Sequence, residues 1–441
     1  MLLVFLGLIS LAAPLPGLAQ GSTPLPSAPA QKTQEQVSRA TSKTLEVAFE
    51  GRWRNEFRDN ADLRPTDDFD HLLGQRVRLN LTLRPHPHLT LFFQLQDVWV
   101  VDAASDKVIH DLDTNIHQLY FHWRPAGSER WAFRVGRQEL AYGEERLVGT
   151  FGWDNVGRSF DAALLRHRAG AWTNDFFWAR QVDARRNGAP RRAGHLELAG
   201  GYLTRQAKDS PGRLELYGLF LRDGLRTGGE LTGIPESIRI LTLGLRRVHQ
   251  PKTGWRYSLE HAWQFGARGP DDHRAAMLVA TVGHAWGGRW QPRLGLEYDF
   301  ATGDNNPADA RSREFHNLFP TNHIFYGYAD LFGLRNLHAF RLTAATALHT
   351  KLTAEIDYHR FLLAARRGRW KDAAGRVLGF DPTGRSGRDA GQELDFTARL
   401  PLHKHLSFLV GYSLFLPGAF AERTRGPETH HFGYVQTTVR F

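Results

Sequence analysis

The sequence predicts an all-β chain closed into a membrane-spanning antiparallel barrel. Three observations predict it. Apolar and charged residues alternate with period two in segment after segment. The connections between those segments alternate between short and long. The chain ends on Phe441, an aromatic residue that finishes an alternating strand.

The N-terminal stretch MLLVFLGLISLAAPLPGLAQ has an apolar core, Leu2–Ala13, and a small-x-small site, Gly17-Leu18-Ala19, before Gln20. Residues 1–19 are therefore expected to be a signal peptide, although no basic residue precedes the core. Residues 20–43, rich in Pro, Ser, Thr, Ala and Gln, are expected to be a disordered periplasmic lead-in. The barrel is expected to fill 44–441.

The first strand signal is LEVAFEGRWRNEF, 45–57. Leu45, Val47, Phe49, Trp53 and Phe57 share one face; Glu46, Glu50, Arg52, Arg54 and Glu56 share the other. QRVRLNLTL, 75–83, sets Arg76 and Arg78 against Val77, Leu79, Leu81 and Leu83. The pattern continues through 89–95 and 131–135. In 255–265 it sets Arg256 and Glu260 against Trp255, Tyr257, Leu259, Trp263 and Phe265. In 293–300 Arg293, Glu297 and Asp299 oppose Leu294, Leu296, Tyr298 and Phe300. In 393–400 Glu393, Asp395 and Arg399 oppose Leu394, Phe396 and Leu400.

Short connections fall near 84–88, 125–130, 167–171, 205–212, 248–254, 287–289, 349–351 and 401–405. Long ones fall near 58–70, 100–113, 139–158, 183–194, 222–237, 266–272, 303–336, 363–390 and 416–430. Eight short turns and nine long loops imply about 18 strands, with 16 as the alternative count. Short periplasmic turns, long outer loops and an even strand number are the layout of a bacterial outer-membrane barrel. HFGYVQTTVRF at the end fits a final strand of the kind read by the barrel assembly machinery.

Physics then assigns the faces. Arg on the lipid face costs roughly 2–4 kcal/mol at the bilayer midplane. The charged face of each strand is therefore expected to line enclosed water. A barrel this wide is not filled by strand side chains alone, so a channel or a plug of loops remains.

Composition adds an acidic partner. The net charge is +10, and 48 of the 56 basic residues are Arg, a bias that a GC-rich genome also produces. Arg forks grip carboxylates and phosphates. An anionic polysaccharide, small anions or lipopolysaccharide fit this charge; nucleic acid is not expected for an exported chain. There is no Cys, which excludes disulfides, thiolate metal sites and a lipoprotein anchor. No cofactor is expected, and no GxSxG, HExxH, Walker A or GxGxxG pattern is present. GDNNPADA, 303–310, offers oxygen ligands but lacks the spacing of a calcium loop. RRNGAPRR, 185–192, and Arg366, Arg367 and Arg369 are expected in outer loops, near lipopolysaccharide phosphates or as solvated charge.

Three stretches carry a resemblance: GRQELAYGEERLVGTFGWDNVGRSFDA, 136–162; FHNLFPTNHIFYGYADLFGLRNL, 315–337; and GQELDFTARLPLHKHLSFLVGYSLFLPGAF, 391–420. The chain resembles the alginate export family of outer-membrane barrels from about residue 44 onward. The resemblance implies an eighteen-stranded monomer with an electropositive constriction through which polyuronate leaves the periplasm, and a possible periplasmic partner. It places Arg137, Glu139, Arg146, Arg158 and Asp161 at the constriction. Strand parity adds Arg52, Arg54, Arg76, Arg78, Arg256, Arg293, Glu297, Asp299 and Arg399 as pore-lining residues. The same charges, paired with one another, would instead only rigidify the wall.

Segment 139–158, with its glycines, reads either as an inward constriction loop or as a plain surface loop. The aromatics of 315–337 suit either sugar contact or an interface girdle. The leading functional expectation is passive export of an alginate-like polyuronate across the outer membrane. The alternatives are an anion-selective porin for small sugar acids and a soluble carbohydrate-binding β-protein.

Overall fold

The computed structural model describes residues 44–66, 68–101, 112–183, 191–228, 235–306 and 308–441. The expected signal peptide, the lead-in and most of the RRNGAPRR run lie outside these residues.

Eighteen long strands form one closed sheet in which each pairs antiparallel with the next. They are Leu45–Asp59, Asp70–His86, Leu89–Val101, Leu112–Trp123, Trp131–Gln138, Phe160–Ala169, Trp172–Asp183, Arg191–Arg205, Gly212–Gly228, Pro235–His249, Gly254–Arg268, Asp271–Ala285, Arg293–Ala301, Leu337–Ala347, Thr353–Leu363, Asp389–His403, Leu406–Pro417 and His430–Arg440. The last strand pairs with the first, from Glu50 opposite Arg440 to Asp59 opposite His431. Phe441 completes the seam: its carbonyl accepts from the Phe49 N–H at 3.0 Å. Closure satisfies every strand edge, which lipid demands.

The expected faces are those observed. Trp255, Tyr257, Leu259, Trp263, Phe265, Leu294, Leu296, Leu394 and Phe396 are exposed on the outside, while Arg52, Arg54, Arg76, Glu260, Asp299, Glu393 and Asp395 are buried within. Trp123, Trp131, Trp255, Trp286 and Trp290 are exposed near the short-turn end, where an aromatic girdle meets the membrane interface.

Three of the expected long connections are shorter: strand occupies 222–228 and 235–237, 191–194, and most of 266–272. The segment 266–272 is not a long loop, because strand runs to Arg268 and resumes at Asp271. Gly269, at φ 58°, makes the turn. The Asp271–Ala285 strand thereby overshoots its neighbour Arg293–Ala301, and Arg311–Ser312 pairs parallel with its freed end at Asp272–His273.

The helical content of the described residues is small; Ala419–Thr424 is a single α-helix in an outer loop. The largest buried apolar cluster is not within the sheet alone. It joins inward strand residues such as Phe160, Leu219 and Met277 to loop residues Leu140, Val148, Phe319, Phe325, Tyr326 and Phe332. The lumen is therefore crossed by chain.

Candidate functional site

Segments 139–158 and 315–337 both fold inward and meet. Val148 bridges Phe319 in parallel register. The Phe319 N–H donates to the Leu147 carbonyl, and the Gly149 and Thr321 N–H groups donate to the Phe319 and Glu145 carbonyls, each at 2.8 Å. Glu145 accepts from the Thr150 N–H at 2.8 Å and from the Thr321 hydroxyl at 2.8 Å. Neither segment has a full backbone partner of its own, so each supplies hydrogen bonds to the other.

The wall grips this pair with opposite charges from two nearby stretches of sheet. On the first two strands, Arg52 donates to the Gly152 and Asp154 carbonyls at 2.8 Å, and Arg76 donates to the same carbonyls at 3.2 and 3.3 Å. Arg54 donates to the Trp153 carbonyl at 2.6 Å and lies 3.9 Å from its ring centroid. Three strands round the sheet from Leu45–Asp59, carboxylates on Asp389–His403 take backbone N–H groups instead. Glu393 accepts from Ala329 at 2.9 Å and Asp395 from Tyr328 at 3.4 Å. Gly327, at φ 85°, permits this seat: a Cβ there would lie 2.3 Å from the Glu393 carboxylate.

The first segment also sends charges to the far wall. Arg146 pairs with Glu297 and Asp299, each at 2.9 Å, and its guanidinium lies 3.8 Å from the Phe325 ring centroid. Glu144 pairs with Arg246, which also holds Glu215 at 3.0 Å. Burial opposes ionisation of Glu144, but the Arg246 and Arg146 guanidiniums outweigh it and hold the carboxyl at about 2.

Away from this crossing, basic side chains face open space. Toward the long-loop end lies a cavity of about 500 Å³ lined in part by Arg158, Asp223, Arg268, His316, Arg335, Arg369 and Lys371. Arg335 makes no side-chain hydrogen bond or ion pair with a described residue, and its Nε is buried without a partner. Lys371 pairs with Glu314 at 2.5 Å. Burial, with Arg268 and Arg335 adding repulsion against the pull of Glu314, lowers the Lys371 pKa. Toward the short-turn end, Arg134, Arg256, Arg293 and Arg399 share the inward parity of their strands. Arg134 lies over the Tyr120 ring at 5.2 Å. Arg256, Arg293 and Arg399 form no ion pair with a described residue. Gly283 and Gly295, opposite one another beside Arg256 and Arg293, leave that stretch of wall without side chains.

The family model for alginate export matches residues 43–435. The chain belongs to the alginate export family. Solved outer-membrane proteins share its fold. Pseudomonas aeruginosa OccK2 (OpdF), determined in complex with glucuronate, is 10% identical, with 90% of this chain and 96% of that chain covered at a TM-score of 0.60. Pseudomonas aeruginosa OccK8 (OprE) is 12% identical over 90% and 98% of the two chains, at 0.59. Acinetobacter baumannii OccAB4 is 12% identical over 90% and 98%, at 0.57. No curated protein matches the sequence. This alginate-export barrel is thus an outer-membrane channel, and its family and fold are those of passive channels rather than enzymes.

Against that frame of strands, the expected site residues divide into groups. Wall residues Arg52, Arg54, Arg76, Arg78, Glu297 and Asp299 meet loop residues Glu139, Arg146 and Arg158 around the crossing. Arg78 and Glu139 face each other at 3.5 Å, with His117 2.9 Å from Glu139. Arg158 donates to the Gly149, Phe319 and Pro320 carbonyls, so it clasps both segments while lining the outer cavity. Arg256, Arg293 and Arg399 stand apart, near the short-turn mouth. Arg137 and Asp161 do not line the lumen. They pair at 2.9 Å on the outward face, in the parity of the exposed Val135 and opposite the exposed Leu119. The family motif placed them, and the strand register around Gly136 turns them outward.

The aromatics of 315–337 form neither a girdle nor an open sugar platform. Phe319, Phe325, Tyr326, Tyr328 and Phe332 are all buried, and Phe332 stacks on Phe361 at 3.9 Å. In 303–310, Asp304 accepts backbone N–H groups from Asn306 and Arg313, and Asp309 pairs with Arg313 at 2.8 Å. Arg335, Arg268 and Lys371 were not singled out from sequence. Their signal is weak: Arg268 ends a strand, Arg335 and Lys371 lie in two separate loops, and only the fold brings them together.

Proposed function

We propose that this barrel is an anion-selective passive channel for carboxylate-bearing sugars, with uronates as the substrate class. The observation that carries the reading is the distribution of inward charge. Arginines without ion-pair partners face the lumen at the short-turn mouth, a basic cavity opens at the long-loop end, and most cations of the crossing between them are held by carboxylates. Fixed cations at both mouths raise the local anion concentration. A crossing with few spare cations keeps the anion from being held, which conduction requires. A cavity of about 500 Å³ suits a monosaccharide or short oligosaccharide. The glucuronate complex of OccK2, a distant fold relative, supports the same ligand chemistry.

A second reading rests on family membership: passage of a long polyuronate. It requires 139–158 and 315–337 to swing away from the walls that hold them. The two readings separate in proteoliposomes. Galacturonate is expected to enter faster than galactose at low salt, and flux is expected to fall steeply as alginate oligomers lengthen. Undiminished flux with length supports the polymer reading. Equal flux of galacturonate and galactose contradicts both.

A further inference from the structure

We infer that the outside of the barrel carries a binding site for a phosphorylated, acylated glycolipid of the outer leaflet, of the lipid A class. Two features stacked on one patch of the outer wall point to it.

The first is a row of charge. Arg137, Asp161, Arg180, Glu197, Arg222 and Arg239 are successive register partners across six neighbouring strands. They lie near the strand ends that lead into long connections. Arg137 pairs with Asp161 at 2.9 Å and Arg180 with Glu197 at 2.7 Å. Arg222 reaches Glu197 only at 3.9 Å, and its side chain is 62% exposed. Arg239 is exposed and forms no ion pair with a described residue. Arg222 and Arg239 sit directly opposite one another, an arrangement that repels in an antiparallel pair. An external anion between them removes that repulsion, and a phosphate accepts from two guanidinium forks at once.

The second is an apolar groove of about 350 Å³ below the Arg137–Glu197 part of the row, beside Arg222 and Arg239. Its outward lining includes Phe133, Val135, Ala163, Leu165, Phe176 and Trp178. Val135, Ala163 and Trp178 stand two residues along their strands from Arg137, Asp161 and Arg180, on the same face. The Gly200 backbone completes the lining. The Arg180 guanidinium lies 4.9 Å from the Trp178 ring centroid, which joins the charged row to the apolar one. Phosphate above and hydrocarbon below is the order of a membrane lipid whose headgroup faces the long-loop side. The position selects the outer leaflet. A soluble polyanion has no use for the groove, and a neutral lipid none for the row.

The test uses the full-length barrel, purified in detergent and stripped of lipid. It is incubated with bisphosphorylated lipid A, with the same lipid dephosphorylated, and with phosphatidylglycerol, and the retained lipid is counted by native mass spectrometry. Lipid A is expected to be retained at least tenfold better than either comparator. Arg222→Gln with Arg239→Gln, and separately Ala163→Trp, are each expected to lower its retention at least fivefold. Heat-modifiable mobility is expected to stay that of the wild type, which shows the barrel intact. Retention unchanged in the double Gln variant, or equal retention of dephosphorylated lipid A or phosphatidylglycerol, overturns the site.

Discussion

The Trp153 indole lies on the His323 imidazole with ring centroids 3.7 Å apart and planes 13° from parallel. That contact joins the two inward segments. The same indole takes the Arg54 guanidinium of the first strand, and His323 holds Asp330 at 2.8 Å. One aromatic ring thus ties a wall, the first segment and the second. Stacking and cation–π contacts of this kind contribute about 0.5–2 kcal/mol each. Trp153→Ala is expected to leave the barrel folded but to raise single-channel conductance and open-state noise at least twofold. Planar-bilayer recording checks this, and an unchanged conductance would mean the segments do not limit the path.

Arg52 and Arg76 share the Gly152 and Asp154 carbonyls. Hydrogen bonds from a charged donor are worth roughly 1.5–3 kcal/mol each. Arg52→Ala with Arg76→Ala is therefore expected to free the 150–156 backbone. Hydrogen exchange there should speed at least tenfold, with the strands protected as before. Equal protection in the variant would remove the arginines from this role.

Glu144 gives a pH dependence with a definite sign. Its folded pKa, about 2, lies below the ordinary 4.5. The ionised form is favoured in the folded state, so its contribution is complete above pH 4.5 and is lost as pH falls toward 2. The first segment is expected to loosen across that window, seen as rising conductance between pH 4.5 and 3. Glu144→Gln is expected to show the loosened state at neutral pH and a flatter profile.

Parity separates the arginines by function. Arg256→Glu with Arg293→Glu reverses two inward charges at the short-turn mouth. It is expected to lower the anion-to-cation permeability ratio at least threefold, with the largest effect at low salt. Arg137→Glu, on the outward face, is expected to leave that ratio unchanged. Reversal potentials in a KCl gradient measure both, and an equal effect of the two changes would contradict the assigned faces.

Much of the barrel was legible because its cause is local. Each strand reports its own faces by alternation, and lipid on one side makes the report clean, as in 255–265 and 293–300. The two-residue turn at 269–270 was misread because glycine and proline mark a turn without stating its length. The crossing of the lumen was less legible. Contacts such as Val148 with Phe319, or Arg146 with Asp299, join residues far apart in sequence, and nothing in their spacing announces them. Segment 139–158 signalled inward folding only through its glycines. Arg137 and Asp161 were misplaced because a family motif carries residue identity but not strand register. The outer cavity escaped notice because Arg268, Arg335 and Lys371 meet only once the loops are packed.

The most direct test is the reversal potential of the wild-type channel in a planar bilayer, first under a KCl gradient and then with galacturonate added to one side. The account predicts anion selectivity, and a galacturonate-dependent drop in chloride current that fades as salt rises. A cation-selective pore whose current ignores galacturonate would contradict it.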